Sequence, residues 1–235
     1  MTPAAPLGAP QETGRGQRST ELAYLHIKQK ILDNEYPPGA HVLEQDIAAE
    51  LKLSRTPVRE ALVRLQQDGL VKIVPRHGVR ISPLSPADMR EIYEVLMSLE
   101  PTAVELLARR RPSLSELAPL VEACDAMEAA LSRREPDLKA WAAADESFHI
   151  NLARMCGNSR LAAMIMTVWD QAHRARMFTL TLRPVPHRST EEHRAVVEAI
   201  LAGDAAGAHK LYAAHRRRGG VELMSIIERH GLQHL

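Results

Sequence analysis

Four side chains in the second half of this 235-residue chain are of the types that hold a transition-metal ion: Asp145, His149, His193 and His215. Asp145 and His149 stand at i and i+4, so on a helix both leave from one face. Trp141, one turn earlier, and Phe148 and Leu152 beside the pair make that face otherwise core-like. His193 travels with Val196, Val197 and Ile200, while His215 follows Leu211 by four residues and Ala208 by seven. All four polar groups are thus aimed at apolar stripes, where an unpartnered carboxylate is costly. Three imidazoles and one carboxylate around a divalent transition ion would satisfy every member at once, with zinc the first expectation and nickel or manganese the alternatives. A histidine on an apolar stripe is commonly just a hydrogen-bonded core residue, and the chain has eleven histidines. A metal-free polar cluster therefore stays open at this point.

The elements that must bring these residues together are helices. Low aromatic content and abundant alanine and leucine favour them, and the spacing of apolar residues predicts helices over roughly 86–109, 113–133, 136–156, 158–180, 189–202 and 204–229. Arg111-Pro112, Gly157-Asn158, Pro184-Val185-Pro186 and Gly203-Asp204 separate them. Ser85 can cap and Pro86 suits the first helical position of the first of these helices. Ser189 to Glu192 has the form of a capping box. The last two helices meet at Gly203, with His193 ten residues before it and His215 twelve after. At ~1.5 Å per residue these positions lie about 15 and 18 Å from the turn, so an antiparallel hairpin holds the two imidazoles nearly level. The run Arg216-Arg217-Arg218 reads as a solvated face. His26, His41, His173, His187, His209, His230 and His234 read as surface or incidental residues.

A second constellation lies in the first half, between Lys52 and Arg80: KLSRTPVREALVRLQQDGLVKIVPRHGVR. A polar turn with Ser54, Arg55 and Thr56 leads through Pro57 into a helix carrying Val58, Leu62 and Leu65 at helical spacing. After Gly69 the period becomes two, through Val71 to Val74, then a Pro75-to-Gly78 turn and a returning strand at Val79 to Ile81. That is the outline of a winged helix-turn-helix. Lys52, Arg55, Arg59, Arg64, Lys72, Arg76 and Arg80 face only Glu60 and Asp68, a local net of +5 in a chain whose total is +1. Positive charge so concentrated suits a nucleic-acid surface. Two further helices precede it, one from near Ser19 or Thr20 to before Pro37 and one over about 44–51.

The expected fold is therefore mainly α: a disordered tail over 1–18, a winged helix-turn-helix over 19–82, a linker over 83–86, and an antiparallel all-helical bundle over 87–235. Cys124 and Cys156 lack a metal-binding spacing and read as free buried thiols. No apolar run is long enough to span a bilayer. The expectation is a cytoplasmic protein without membrane contact.

Both constellations resemble the GntR family of bacterial transcription regulators, and the second half is similar to the FCD type of effector domain found in its FadR subfamily. The carrying residues are Ser54 to Leu62, Leu65, Asp68-Gly69-Leu70 and Gly78, then Asp145-x-x-Phe148-His149, Gly157-Asn158, Glu192-His193 and His215. The resemblance implies a homodimer on a palindromic double-stranded DNA operator, not an enzyme. It also implies base or phosphate contacts from Arg55 and Arg59, a phosphate contact from Thr56, and a wing tip at His77 and Gly78. It assigns the metal to Asp145, His149, His193 and His215, with a small carboxylate effector completing the coordination. Leu96 stands where many relatives have the arginine that pairs with that carboxylate, so Arg174 or Arg176 is expected to supply the charge. Two rival readings remain: the metal as a structural element or as the signal itself, and a metal-dependent hydrolase.

Overall fold

Pro37, Pro38 and Gly39 interrupt helical periodicity, and the first helix stops short of them, as chain stiffness and the missing proline N–H require. The computed structural model describes residues 11–75 and 78–233. Its first unit, to Pro83, contains α1 (Gln11–Leu32), β1 (His41–Val42), α2 (Glu44–Leu51), α3 (Arg55–Gln67), β2 (Val71–Val74) and β3 (Gly78–Ile81). The tail expected over 1–18 is corrected for residues 11–18, which form the opening turns of α1. α1 is held onto α3 by the Thr20 hydroxyl, which donates to Glu60 at 2.7 Å and lies 3.1 Å from the Gly16 carbonyl oxygen. Residues 1–10 lie outside the described residues.

Ala23, Ile27 and Ile31 of α1, Ile47 of α2, and Val58, Ala61, Leu62 and Leu65 of α3 form one apolar cluster with Leu70, Val79 and Ile81. This burial fixes the face that α3 turns outward. The strands form an antiparallel sheet in the order β1-β3-β2. The two-residue β1 is too short to carry a period-two signal in sequence. Gly78 answers to packing: its φ is +83°, and a Cβ there would lie 2.6 Å from the Val42 carbonyl oxygen of β1. Glycine is needed for both reasons.

The second unit, from Leu84, is all helical among the described residues: α4 (Pro86–Arg109), α5 (Ala118–Leu131), α6 (Leu138–Met155), α7 (Ser159–Phe178), a 3-10 turn (Leu180–Leu182), α8 (His187–Leu201) and α9 (Ala205–Arg229). Ser85 caps α4 in a capping box with Asp88, with Pro86 in the first turn. Asn158 and Asp204 accept from backbone N–H groups at the starts of α7 and α9. The expected capping box at Ser189 and Glu192 is not formed, because α8 starts earlier, at His187, and has no side-chain cap. α4 packs against α6, α7, α8 and α9, and it anchors the core with Met89, Leu96, Val104 and Leu107. Cys124 and Cys156 are free and buried, and burial pushes the Cys124 thiol up to about 12. No helix among the described residues is long and apolar enough to cross a membrane.

Candidate functional site

α3 buries Val58, Ala61, Leu62 and Leu65 and leaves Arg55, Thr56 and Arg59 exposed together on its N-terminal half. Arg64 is engaged elsewhere: it donates to Glu21 at 2.7 Å and lies over the Tyr24 ring at 4.0 Å. In the sheet, Arg80 pairs in register with Lys72 on one side and His41 on the other, and all three are exposed. The like charges of Lys72 and Arg80, directly opposite one another, destabilise the sheet, and a polyanion lying across them would offset that repulsion. Sequence periodicity could not find this row, because it depends on β1. His77, expected at the wing tip with Gly78, lies outside the described residues.

In the helical unit, α6 supplies Asp145 and His149, α8 supplies His193 and α9 supplies His215, and all four side chains are buried. Ring nitrogens of the three histidines lie within 4.8 Å of one another. Asp145 Oδ1 lies 3.6 Å from His149 Nε2 and 3.8 Å from His193 Nε2. Four expected ligands thus meet in one place, drawn from three helices.

Several buried atoms of this cluster lack hydrogen-bond partners: Asp145 Oδ1, His149 Nε2 and both ring nitrogens of His193. Leaving a buried polar atom unmade costs roughly 1–3 kcal/mol. One nitrogen each of His149 and His215, by contrast, has a partner. The Tyr212 hydroxyl lies 2.6 Å from His149 Nδ1, and Glu192 accepts from His215 Nδ1 at 2.8 Å. Such outer partners fix ring orientation. Donor types, convergence and unmet atoms together fit a divalent transition ion.

Electrostatics point the same way. Burial alone would raise the Asp145 carboxyl, but the Arg176 guanidinium beside it opposes this most strongly, and the group is held well below the usual carboxylate range. Burial, with Arg216 nearby, pushes His149 well below its ordinary value, and burial with His215 does the same to His193. Both rings are therefore neutral, the form a metal requires. Glu192 is also held low: burial opposes its ionisation, and hydrogen bonds from His215 and Arg218 prevail.

A cavity of about 430 Å³ opens against this cluster, with Asp145 and His215 in its wall. Tyr93 and Trp141 line it, together with Arg176, Arg183, Arg188, Arg216 and Arg218. Of the two arginines expected to reach an effector, Arg176 lies in this wall and pairs with Asp145. Arg174 does not: it is fully buried outside the lining, and burial lowers it to about 10.

Three sequence readings are corrected here. The arginine run is not a solvated face, since only Arg217 is exposed. Arg216 is buried in an ion pair with Glu100, its Nη2 is 3.3 Å from His149 Nδ1, and Arg218 pairs with Glu192 and Glu222. His173 is buried in the cavity wall, with Nε2 3.8 Å from Glu146. Leu211, counted with the stripe of His215, is exposed, and Tyr212 takes the inner position. Leu96 is fully buried in the apolar core, and a cation does stand beside His149, but it comes from Arg216 of α9.

A helix-turn-helix unit followed by an all-helical unit is the architecture of a two-part transcription regulator, and comparison with known proteins agrees. Residues 19–81 match the model described as bacterial regulatory proteins, gntR family, and residues 91–218 match the FCD domain. An uncharacterized HTH-type transcriptional regulator in the TAR-I ttuE-ttuC' intergenic region of Agrobacterium vitis is 50% identical over 132 residues, spanning 55% of this chain and 76% of that protein. An uncharacterized HTH-type transcriptional regulator in an unstable DNA locus of Streptomyces ambofaciens is 31% identical, spanning 88% of this chain and 85% of that protein. The solved structure titled E. coli McbR/YncC shares the fold with a TM-score of 0.77 at 20% identity, over 88% of this chain and 97% of that one. The chain belongs to the GntR family of bacterial regulatory proteins and carries an FCD effector domain behind its DNA-binding domain.

Proposed function

We propose that this regulator binds a palindromic operator as a homodimer, and that a small carboxylate held at a divalent ion in the helical domain sets its operator affinity. Asp145, His149, His193 and His215 would hold the ion, zinc foremost with nickel or manganese as alternatives. When bound, the ion supplies a Lewis-acidic attachment point for a ligand carboxylate. The observation that carries this reading is that Asp145 and His215 belong both to the cluster with unmet polar atoms and to the wall of the cavity. A purely structural metal would need no such opening. Glu192 and Tyr212 orient the ligand rings, and Arg176 restrains the outer oxygen of Asp145.

A hydrolase would need a free base beside the ligands. Glu192 is the carboxylate placed for that role, and it is already engaged by His215 and Arg218. This favours binding over catalysis.

On the DNA side, Arg55 and Arg59 would read base edges or phosphates, Thr56 would meet phosphate, and His77 and Gly78 would form the wing tip. Arg55→Ala and Arg59→Ala should each weaken operator binding by about 1–3 kcal/mol without loss of helical content. Wild-type binding should weaken steeply as salt rises, because phosphate contacts release counterions. Titration of labelled operator by fluorescence anisotropy at several salt concentrations checks both. Wild-type affinity in the two variants would remove α3 from the interface.

A further inference from the structure

Glycine inside a helix is destabilising relative to alanine, so the pair Gly219-Gly220 within α9 calls for a reason. Gly220 has one in the fold. A Cβ there would lie 2.9 Å from Tyr93 Cδ1, so its absence lets the Tyr93 ring of α4 lie against the α9 backbone. Gly219 has no such reason: a Cβ there would meet no atom within 4 Å beyond its own helix, and its φ is not positive. What Gly219 faces is the cavity. It follows His215 by one turn on the same face of α9, and both stand in the cavity wall. Bare backbone at that point leaves room for a ligand to come close.

The wall of this space is aromatic, in a chain with few aromatic residues. Tyr93 and Trp141 both line it, with Met177 and Leu180. Trp141 spends its one polar atom on Thr190, to which Nε1 donates at 2.9 Å, so the rest of its ring is apolar surface. The charges of the wall are engaged among themselves: Arg176 pairs with Asp145, Arg216 with Glu100, and Arg218 with Glu192 and Glu222. The unmet Nη2 of Arg183 is closed off from solvent. Away from the cluster, then, the cavity favours an apolar ligand body over a second charge. We infer that the effector is an aromatic monocarboxylate. Its acid group sits at the histidine cluster, its ring lies over Gly219 against Tyr93 and Trp141, and Gly219 sets specificity by leaving room for that ring. Aromatic rings gain from offset or edge-on contact beyond the burial of their area. A volume of about 430 Å³ suits a whole small molecule rather than an acid group alone. The inference rests on the reading of this site as a metal-assisted carboxylate site.

The test uses calorimetry on the full-length protein, zinc-loaded and zinc-stripped, with phenylacetate, cyclohexylacetate and acetate. Phenylacetate should bind the zinc-loaded protein about tenfold or more tighter than acetate, from burial of its ring. It should also bind about twofold or more tighter than cyclohexylacetate, from the aromatic contacts. Gly219→Ala should melt no lower than wild type, because its methyl group meets no neighbour. Gly219→Leu should weaken phenylacetate at least about tenfold more than acetate, because its side chain enters the space of the ring. Phenylacetate binding no tighter than either other acid overturns the inference, even where zinc strengthens acid binding and even if Gly219→Leu fails to fold. A folded Gly219→Leu protein that keeps the wild-type ratio overturns it too, and so does a Gly219→Ala protein that melts lower. A preference for phenylacetate that is indifferent to zinc supports the inference and removes the metal reading instead. No saturable binding of any of the three acids overturns both.

Discussion

Glu100→Ala should destabilise the helical domain by about 3–5 kcal/mol, the usual cost of removing one partner of a buried ion pair. Glu100 and Arg216 side chains are 1% and 3% exposed. The bond joins α4 to α9 through both Nε and Nη2 of Arg216. Without Glu100 the guanidinium cannot shed its charge. It would remain buried near the Trp169 and Tyr212 rings and 3.3 Å from His149 Nδ1. At about 2–4 °C per kcal/mol for a domain of this size, melting should fall by roughly 6–20 °C. Replacing the pair together, Glu100→Leu with Arg216→Met, should recover most of the loss, because no uncompensated charge is left. A Glu100→Ala protein that melts like wild type would show that the pair is not held as described.

Zinc added to metal-free protein should raise its melting temperature, because an ion that binds only the folded chain stabilises by mass action. At a free concentration one hundred times the dissociation constant the gain is about 2.7 kcal/mol. His193→Ala should remove that response, since His193 contributes two of the unmet buried nitrogens and makes no hydrogen bond among the described residues. Glu192→Gln acts through His215 and should weaken metal affinity by about 10–100-fold while leaving the site able to fill at higher zinc. Elemental analysis of purified protein and scanning calorimetry read both effects. If neither zinc, nickel nor manganese binds or shifts the melting, the four residues are a metal-free polar cluster.

The sequence carried the site further than its surroundings. Asp145 and His149 were legible because helical spacing alone puts i and i+4 on one face. His193 and His215 were legible because a short turn at Gly203 makes the two helices equidistant from it. What escaped depends on partners remote in sequence. Arg216 looks like one of three solvated cations until Glu100, 116 residues away, is found beside it. Glu192 looks like a helix cap, and only the earlier start of α8 at His187 frees it for His215 and Arg218. Arg183 lies in a stretch without periodicity, where no pattern could foretell a cavity wall. In the first unit, α2, α3 and the hairpin followed from period and turn chemistry. β1 and the reason for Gly78 did not, because both arise from a two-residue pairing.

The central claim is that a small acid at the histidine cluster changes how tightly the other half of the chain holds DNA. The direct measurement is operator affinity by fluorescence anisotropy, at fixed salt, with and without a binding acid, on zinc-loaded protein, zinc-stripped protein and the His193→Ala variant. The account predicts that the acid shifts operator affinity about tenfold in the zinc-loaded protein, within the usual range of coupling between sites. It predicts little or no shift in the other two. An acid that binds the zinc-loaded protein yet leaves operator affinity unchanged, or shifts it equally in all three, would contradict the account.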